Sequence, residues 1–472
     1  MRGIWAYGLS AVQGSGNIYT LNFSLTGDAD ATVRLVPAAS NEGQPAIDVA
    51  NGSFAKGRNS VEVDAASFAG QYTWEVVVDN RTVPAATTIF NSDVVSSGVA
   101  IDLDTDSPYF GNIYVSQKDG QRGIRVFDPN FQAYDPTPLL PGIWDTSVGA
   151  SPWRLATLGG KLIITDWGDA QGGMYLLDLA EPTVRTNFFA GTCSPSSGEW
   201  RYNGAVIGGS TSGVSVRGKG EETTLISFQE DWPSDYSLNL VYYPIGTATQ
   251  ITEAPVQPAA YKALSSYLVN GNVDVLTCDR GMVLGQVRGG GNNTKGVPSF
   301  IVATLEGELL FNSGESMETL NGSVGCFALS ADGSMLCVQD DGNAMHVCSI
   351  EWEPEFKLTE LYTFNVLMDG GSDLNSYQAT FDPAGNLYVA NRSSFRVFAL
   401  PREASQATTA APSTAILTGT GDGIENITVE TEAAEEAPVF YNLQGVRVAA
   451  SNLTPGIYVK VCGGKSSKIL VR

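Results

Sequence analysis

Histidine, basic residues and long hydrophobic runs are all scarce in this sequence of 472 residues. Its 27 lysines and arginines face 50 aspartates and glutamates, which gives a net charge of −23, and no basic cluster offsets that charge. Binding to a nucleic acid backbone requires a basic stripe that displaces counterions, so we expect neither DNA nor RNA as a partner. No run approaches the roughly 18 apolar residues of a membrane span, so the sequence predicts no transmembrane segment.

The shortage of metal-ligating residues limits the chemistry further. His346 is the single histidine and no Cys-x-x-Cys occurs, which argues against the usual zinc sites and a Ser-His-Asp triad. We expect no cofactor. Cys326, Cys337 and Cys348 fall on three successive predicted strands, and we expect them to be buried free thiols. Any catalysis would therefore depend on carboxylates or on tyrosine and arginine.

One phrase of the sequence recurs. Near residue 112, Gly-Asn-Ile-Tyr-Val-Ser-Gln precedes Gly-Ile-Arg-Val-Phe-Asp-Pro, and near residue 386, Gly-Asn-Leu-Tyr-Val-Ala-Asn precedes Phe-Arg-Val-Phe-Ala-Leu-Pro. Two apolar strands joined by a polar turn and repeated along the chain are typical of a β-propeller. No window has a sustained helical period, so the sequence predicts an all-β protein.

The repeats predict six blades, and seven stays open because two repeats are weakly marked. The predicted second strands of the repeats lie near Ile113, Leu162, Thr223, Met282, Met335 and Leu387. The last repeat has no fourth strand after Leu400. We expect the segment Thr82–Phe90 to supply it, because an unpaired sheet edge invites aggregation.

The residues before the repeats predict a separate β-sandwich. Polar and apolar side chains alternate along residues 18–25, and turn residues separate several similar runs. Two phrases, Asn-Ser-Val-Glu-Val-Asp at 59–64 and Gly-Gln-Tyr-Thr-Trp-Glu-Val at 70–76, resemble immunoglobulin-like modules that precede larger domains in bacterial surface proteins. The resemblance implies an immunoglobulin-like sandwich over residues 1–81, before a propeller over 82–402.

The end of the chain predicts a linker and a small β domain. Alanine, threonine, serine and glutamate dominate residues 403–438, which is typical of a flexible linker. In residues 439–472, Tyr-Asn-Leu-Gln-Gly-Val-Arg-Val, Leu-Thr-Pro-Gly-Ile-Tyr and a basic final strand follow one another. This tail resembles the C-terminal sorting domains of the bacterial type nine secretion system. The resemblance implies secretion machinery as a partner and export to the medium or outer surface of a Gram-negative bacterium, with the periplasm as the alternative.

Candidate ligand-binding residues collect at one face of the predicted propeller. Loops between second and third strands share a face with the loops that lead into the first strands. The candidates there are Trp153, Arg154, Asp166, Trp167, Asp169, Trp232, Tyr377, Asn391 and Arg392. Aromatic rings stack on sugars or apolar groups while polar side chains hydrogen-bond to them. The alternative is that the rings pack between blades and the acidic residues are solvated turns.

Three functions stay open on these observations. The first is a binding protein that recognises a carbohydrate or an extracellular protein; the second is a carbohydrate-active enzyme, a glycoside hydrolase or lyase, that uses Asp166 and Asp340. The third is a structural or adhesive module. Asp102, Asp104 and Asp106 alternate like the start of a calcium loop, but the glycine and distal glutamate of that loop are missing, so a turn is favoured over a metal site.

Overall fold

A computed structural model shows an all-β protein. It describes residues 2–14, 16–118, 120–134, 139, 152–166, 173–190, 192–194, 199–202, 205–207, 211–229, 235–268, 272–287, 298–317, 320, 325–340, 342–370, 376–421, 438–443, 446–462 and 465–471. For residues 166, 192–194, 199–202, 205–207 and 465 the description extends to the backbone alone.

The N-terminal strands form two sheets that share one core. The strands are β1 (Ala6–Gln13), β2 (Ile18–Leu25), β3 (Ala29–Pro37), β4 (Ile47–Phe54), β5 (Gly57–Asp64) and β6 (Ala69–Asn80). One sheet has the order β1-β2-β5, and the other contains β6, β3 and β4 as neighbours. Alternation along β2 turns Leu21 and Phe23 inward, where they meet Val33 and Trp74 of the facing sheet. We call this two-sheet unit the sandwich.

The middle of the chain forms a succession of small antiparallel sheets. Their strands are β7 (Thr87–Ser92), β8 (Ser96–Ile101), β9 (Ile113–Gln117), β10 (Gly123–Phe127), β11 (Pro152–Leu158), β12 (Lys161–Asp166), β13 (Gly173–Asp178), β14 (Arg185–Asn187), β15 (Thr192–Ser194), β16 (Glu199–Tyr202), β17 (Ala205–Ile207), β18 (Thr211–Arg217), β19 (Thr224–Gln229), β20 (Leu240–Pro244), β21 (Val273–Cys278), β22 (Gly281–Gln286), β23 (Phe300–Ala303), β24 (Leu309–Asn312), β25 (Phe327–Leu329), β26 (Met335–Gln339), β27 (Ala344–Glu351), β28 (Lys357–Asn365), β29 (Ser376–Phe381), β30 (Leu387–Asn391) and β31 (Ser394–Ala399). Among the described residues of this segment, the α-helices are α1 (Ala259–Ser265) and α2 (Ser313–Ser316).

Six of these sheets are arranged around a central channel. Their first strands are β8, β11, β18, β21, β25 and β29, and each contacts the next, with β29 returning to β8. We call these six sheets the ring; β15, β16 and β17 form a separate sheet between its second and third members. The second strands begin within one residue of the six predicted positions, because each apolar run there is long enough to cross a buried sheet.

The ring is closed by a strand that precedes it in sequence. β7 pairs with β31 and supplies the outermost strand of the last sheet. The prediction of a closing strand before the first repeat is therefore confirmed, although the strand begins at Thr87 and ends at Ser92 instead of spanning residues 82–90.

The chain then returns to the sandwich, where the predicted linker was wrong for residues 405–420. Strands β32 (Ser405–Ala410) and β33 (Leu417–Thr420) both pair with β6. Ala407 and Leu417 are buried by this pairing. Alternating alanines and threonines make a weak hydrophobic pattern, yet one face of β32 is buried, and Ala407 on that face belongs to a core cluster with Trp5 and Ala384.

The last strands form a sheet of their own. They are β34 (Val439–Tyr441), β35 (Arg447–Val448), β36 (Gly456–Cys462) and β37 (Lys465–Val471), in the order β35-β34-β36-β37. Of the cysteines that the structure describes with side chains, Cys326, Cys337 and Cys348 are buried free thiols, as predicted. Neither α-helix of the described residues has the length and hydropathy that a membrane span requires.

Candidate functional site

The two ends of the channel have different surroundings. Loops between first and second strands of the ring meet the sandwich: Trp5 donates its indole N–H to Asp382 at 3.1 Å, and the Ser413 N–H donates to Asp106 at 2.6 Å. The opposite end carries the loops between second and third strands and those leading into the first strands. We call that end the mouth.

A buried ion pair forms the floor of the mouth. Arg154, at the start of β11, donates from Nε to Oδ1 of Asp274 on β21 at 2.7 Å. Its side chain is 1% exposed and that of Asp274 is 3% exposed. The guanidinium also donates to the Ser97 carbonyl at 3.0 Å and to Asn272 Oδ1 at 3.3 Å. One side chain therefore connects three sheets of the ring across the channel.

Burial and charge oppose each other at this pair. Burial raises the pKa of Asp274, and the neighbouring Arg154 guanidinium lowers it, with a net rise. Losing one partner of such a pair costs about 3–5 kcal/mol, because the other charge stays buried without compensation. Arg154 was predicted as a ligand-binding residue; its guanidinium is held by the protein's own groups beneath the mouth.

Gln378 completes the floor and was missed by the sequence analysis. Its Oε1 accepts hydrogen bonds from the Val99 and Leu155 N–H groups, both at 3.0 Å, and its Nε2 donates to the Leu155 carbonyl at 2.9 Å. These bonds tie the sixth sheet to the first and second. The one signal in the sequence is a long polar side chain inside an apolar first strand, between Tyr377 and Ala379.

Backbone irregularities let the first strands approach so closely. Register shifts occur near the beginnings of β8, β11, β18 and β29. A Cβ on Gly98 would collide with the Trp153 carbonyl, and one on Gly213 would collide with the Val273 carbonyl. Glycine is required at both positions because two backbones meet there.

An aromatic pair lies beside the floor. The rings of Trp153 and Tyr377 have centroids 4.8 Å apart. The Lys118 ammonium lies 5.3 Å from the first centroid and 5.0 Å from the second, and the Arg154 guanidinium lies 4.7 Å from the Trp153 centroid. These distances allow cation–π attraction. Trp153 is 1% exposed and Tyr377 is 8% exposed, so the protein's own residues cover both rings.

Of the other predicted mouth residues, the structure describes the side chains of Asn391 and Arg392. Asn391 is buried; its Nδ2 donates to Ser376 Oγ at 3.1 Å and its Oδ1 accepts from the Ser393 N–H at 3.0 Å, while Arg392 is exposed. Trp167, Asp169 and Trp232 lie outside the described residues, and so does the side chain of Asp166.

Asp340, the second predicted catalytic carboxylate, holds a turn. Its Oδ1 accepts from the Gly342 and Ala344 N–H groups at 2.9 and 3.0 Å. Its Oδ2 lies 3.7 Å from Nε2 of His346, whose Nδ1 is 2.7 Å from Glu360 Oε2. The single histidine thus lies between two carboxylates on the fifth sheet of the ring.

The three alternating aspartates form a turn at the sandwich end. Asp102 accepts from the Asp104 N–H and from the Ser107 hydroxyl, and Asp104 accepts from the Asp106 N–H. The Lys219 ammonium lies 2.5 Å from Asp104 and 3.5 Å from Asp106. A lysine and backbone N–H groups therefore take the places that a cation would need. Within the described part of the chain, no group of three or more potential metal ligands occurs.

Beneath the floor the channel holds a cavity of about 210 Å³. Hydroxyl-bearing side chains from the first strands line it, and Ser215 Oγ and Thr277 Oγ1 are 2.7 Å apart. Arg154, Asp274 and Gln378 also line this cavity, so they separate it from the mouth.

Comparisons with known proteins give structural similarity only. No family model and no curated protein matches the chain. Similar solved structures include a structural genomics protein of unknown function from Bacteroides thetaiotaomicron, 11% identical with a TM-score of 0.41, over 84% of this chain and 98% of that one. The RRP9 WD40 repeats are 10% identical with a TM-score of 0.41, over 68% and 99% of the two chains. The WD40 β-propeller domain of Doa1 is 11% identical with a TM-score of 0.38, over 67% and 97%. Values this low carry no argument about ligand or partner.

Proposed function

We propose that the ring is a six-bladed β-propeller that recognises a partner protein at its mouth without catalysing a reaction. The floor carries this proposal: Arg154, Asp274 and Gln378 close the channel directly beneath the mouth loops. A rigid scaffold that presents loops at one end is a common arrangement for binding. The partner is held on the loops above the floor.

The covered rings at the mouth argue against a small sugar. Trp153 and Tyr377 are buried and the Arg154 guanidinium is held beneath the mouth, so these side chains support the mouth and do not contact a ligand. A sugar would need an open aromatic face. Charged side chains are available at the mouth instead: Arg392 is exposed and Lys118 is partly exposed. Charges at the rim of an interface guide association with a partner protein.

Catalysis by a pair of carboxylates has less support. Asp340 uses one oxygen to accept two backbone hydrogen bonds and keeps the other near the histidine. A general acid or base must instead be within reach of a reacting group. An exported glycoside hydrolase or lyase is the alternative, and release of sugar products in the experiment below would support it.

The test is an array of random peptides beside a glycan array, with soluble products monitored in parallel. Charge reversal at the mouth, in Lys118→Glu or Arg392→Glu, should weaken peptide binding about tenfold, because rim charges guide association. Lys357→Glu, an exposed lysine on the outer strand β28, is the matched control and should bind like the wild type. Peptide binding that survives both mouth variants, or release of sugar products, would refute the proposal.

We further propose that the protein is exported and that residues 439–472 direct it to the secretion machinery. The resemblance of this segment to type nine sorting domains supports the proposal, and so does its separate four-stranded sheet. A source cell expressing a chain that ends at residue 438 should retain the protein internally, with an unchanged melting temperature. Normal export of that shortened chain would contradict a sorting role.

A further inference from the structure

The last four strands of the chain pair in a register that defines two faces of their sheet. One row of paired residues crosses all four strands and consists of Arg447, Tyr441, Val459 and Lys468. Paired residues point to the same side of a sheet, so this row lies on one face. The same face carries two flanking rows, which are Val439, Val461 and Ser466 on one side and Ile457 and Leu470 on the other. We call this side of the sheet the open face.

The two faces of the sheet differ in burial. Every residue of the open face is exposed or half-buried, and Ile457 and Leu470 are 39% and 64% exposed. On the opposite face, Phe440 and Tyr458 are buried, and the Tyr458 hydroxyl accepts a hydrogen bond from the Thr454 N–H at 3.1 Å. The opposite face therefore forms the core of this small unit, whereas the open face presents apolar side chains to the solvent.

The charge of this segment differs in sign from that of the whole chain. Residues 439–472 contain five basic residues and no acidic one, which is too few to offset the net charge of −23. Arg447 and Lys468 are exposed at the two ends of the central row, because β35 and β37 are the outer strands of the sheet. The apolar centre of the open face thus lies between two cations. An apolar centre inside a polar rim is the usual anatomy of a protein interface.

We propose that the open face docks onto an acidic protein surface of the export machinery. This inference rests on the proposed role of residues 439–472 in export and adds the face and the chemistry of the partner. The apolar side chains would leave water on docking, and Arg447 and Lys468 would pair with acidic groups at the partner's rim.

Charge also argues against two other occupants of the open face. The open face of a second copy would offer no acidic group to Arg447 or Lys468, so each cation would meet only like charge or apolar surface. An anionic membrane would attract these two residues but repel the rest of the chain, whose net charge is negative. A protein partner can instead present acidic groups at the open face alone.

Export of full-length variants from the source cell tests the inference, with the protein measured both in the medium and inside the cell. Lys468→Glu should lower the exported fraction about tenfold, because the charge at the rim is reversed. Leu470→Ser should lower it about threefold through the loss of apolar contact. Both side chains are exposed, so the melting temperatures of the purified variants should equal that of the wild type.

The matched control is Lys460→Glu, which makes the same change of charge on the opposite face of the same sheet. It should be exported like the wild type, and so should Lys357→Glu on β28. Normal export of a chain that ends at residue 438 would contradict the export role itself. If that chain is retained but folded Lys468→Glu and Leu470→Ser are exported normally, the export role stands and the open face is overturned. Equal retention of Lys460→Glu and Lys468→Glu would also overturn it, because bulk charge would then explain both.

Two measurements on the purified full-length protein check the other occupants. Sedimentation with phosphatidylglycerol vesicles tests a membrane, and light scattering tests a second copy. We expect the wild type to stay free of the vesicles and to show no dimer that depends on Lys468 or Leu470. Vesicle binding that Lys468→Glu abolishes, or a dimer that Leu470→Ser dissociates, would assign the open face to that occupant and overturn the inference.

Discussion

Each end of the channel holds a buried aspartate, and the two aspartates have different hydrogen-bond donors. At the sandwich end, Asp382 accepts hydrogen bonds from Ala384, Asn386, Tyr388 and Trp5, all of which are neutral donors. Three of those donors lie within six residues of it. At the mouth, Asp274 is paired with a guanidinium 120 residues away in the sequence.

Asp382 is held mainly by residues close to it in the sequence, whereas Asp274 is held by a distant one. A carboxylate in a tight turn finds its N–H donors in the residues that follow it, so it folds with the turn. The Arg154–Asp274 pair forms only when the second and fourth sheets of the ring have come together. A substitution of an aspartate held by its own turn should therefore disturb that turn alone. A substitution in the Arg154–Asp274 pair should instead destabilise the contact between distant sheets of the ring.

The largest expected effect concerns the strands that return to the sandwich. A chain that ends at residue 402 lacks β32 and β33 and leaves β6 unpaired on one side. We expect its sandwich to lose cooperative unfolding, since the missing strands cover a core that a marginally stable domain cannot expose. A chain that ends at residue 438 retains both strands and is the control. Limited proteolysis and thermal melts that are alike for the two chains would contradict the pairing.

Breaking the floor of the mouth should have the next largest effect. Arg154→Met leaves Asp274 buried without its counter-charge, so we expect the free energy of unfolding to fall by about 3–5 kcal/mol. Adding Asp274→Leu should restore most of that loss, because two apolar side chains remove the buried charge altogether. Urea denaturation of the single and double variants measures both free energies. Additive losses in the double variant would show that the two residues act independently.

The buried aspartate at the sandwich end predicts a smaller, pH-dependent effect. Burial raises the pKa of Asp382 above its usual value, so the folded chain binds a proton more tightly than the unfolded chain. Stability from this group is therefore fully present below the ordinary aspartate pKa and is lost as pH rises through the raised value. Asp382→Asn should remove that dependence, because an amide does not titrate in this range. Urea denaturation across that pH range measures the effect, and equal pH slopes for the two proteins would contradict the assignment.

The smallest expected effect concerns the aspartate turn and Lys219. Lys219→Ala removes an exposed ion pair with Asp104, so we expect a loss of about 1 kcal/mol or less. Calcium should leave the melting temperature of the wild type unchanged, because lysine and backbone donors already hold the carboxylates. A rise in melting temperature with calcium that disappears in Asp102→Asn would establish a metal site instead.

Much of the ring was predictable because its strands are locally marked. Apolar runs of five or six residues that end in turns place the second strands, and the missing edge after Leu400 indicates a closing strand elsewhere. β32 was not predictable in this way: its inward residues include Ala407 and Thr409, which carry little hydrophobic signal. Gln378 was missed for a related reason, since its three hydrogen bonds go to backbone groups of other sheets.

The sequence by itself determined an all-β chain, the positions of the repeated strands and the need for a strand to close them. Only the tertiary structure decided that residues 405–420 complete the sandwich, that Arg154 and Asp274 close the channel, and that Tyr7 meets Tyr114 at a shared cavity. The physical reason is range. Strand periodicity and turn preference act between neighbours in the chain, whereas an ion pair, a shared core or a cavity exists only between segments that folding brings together.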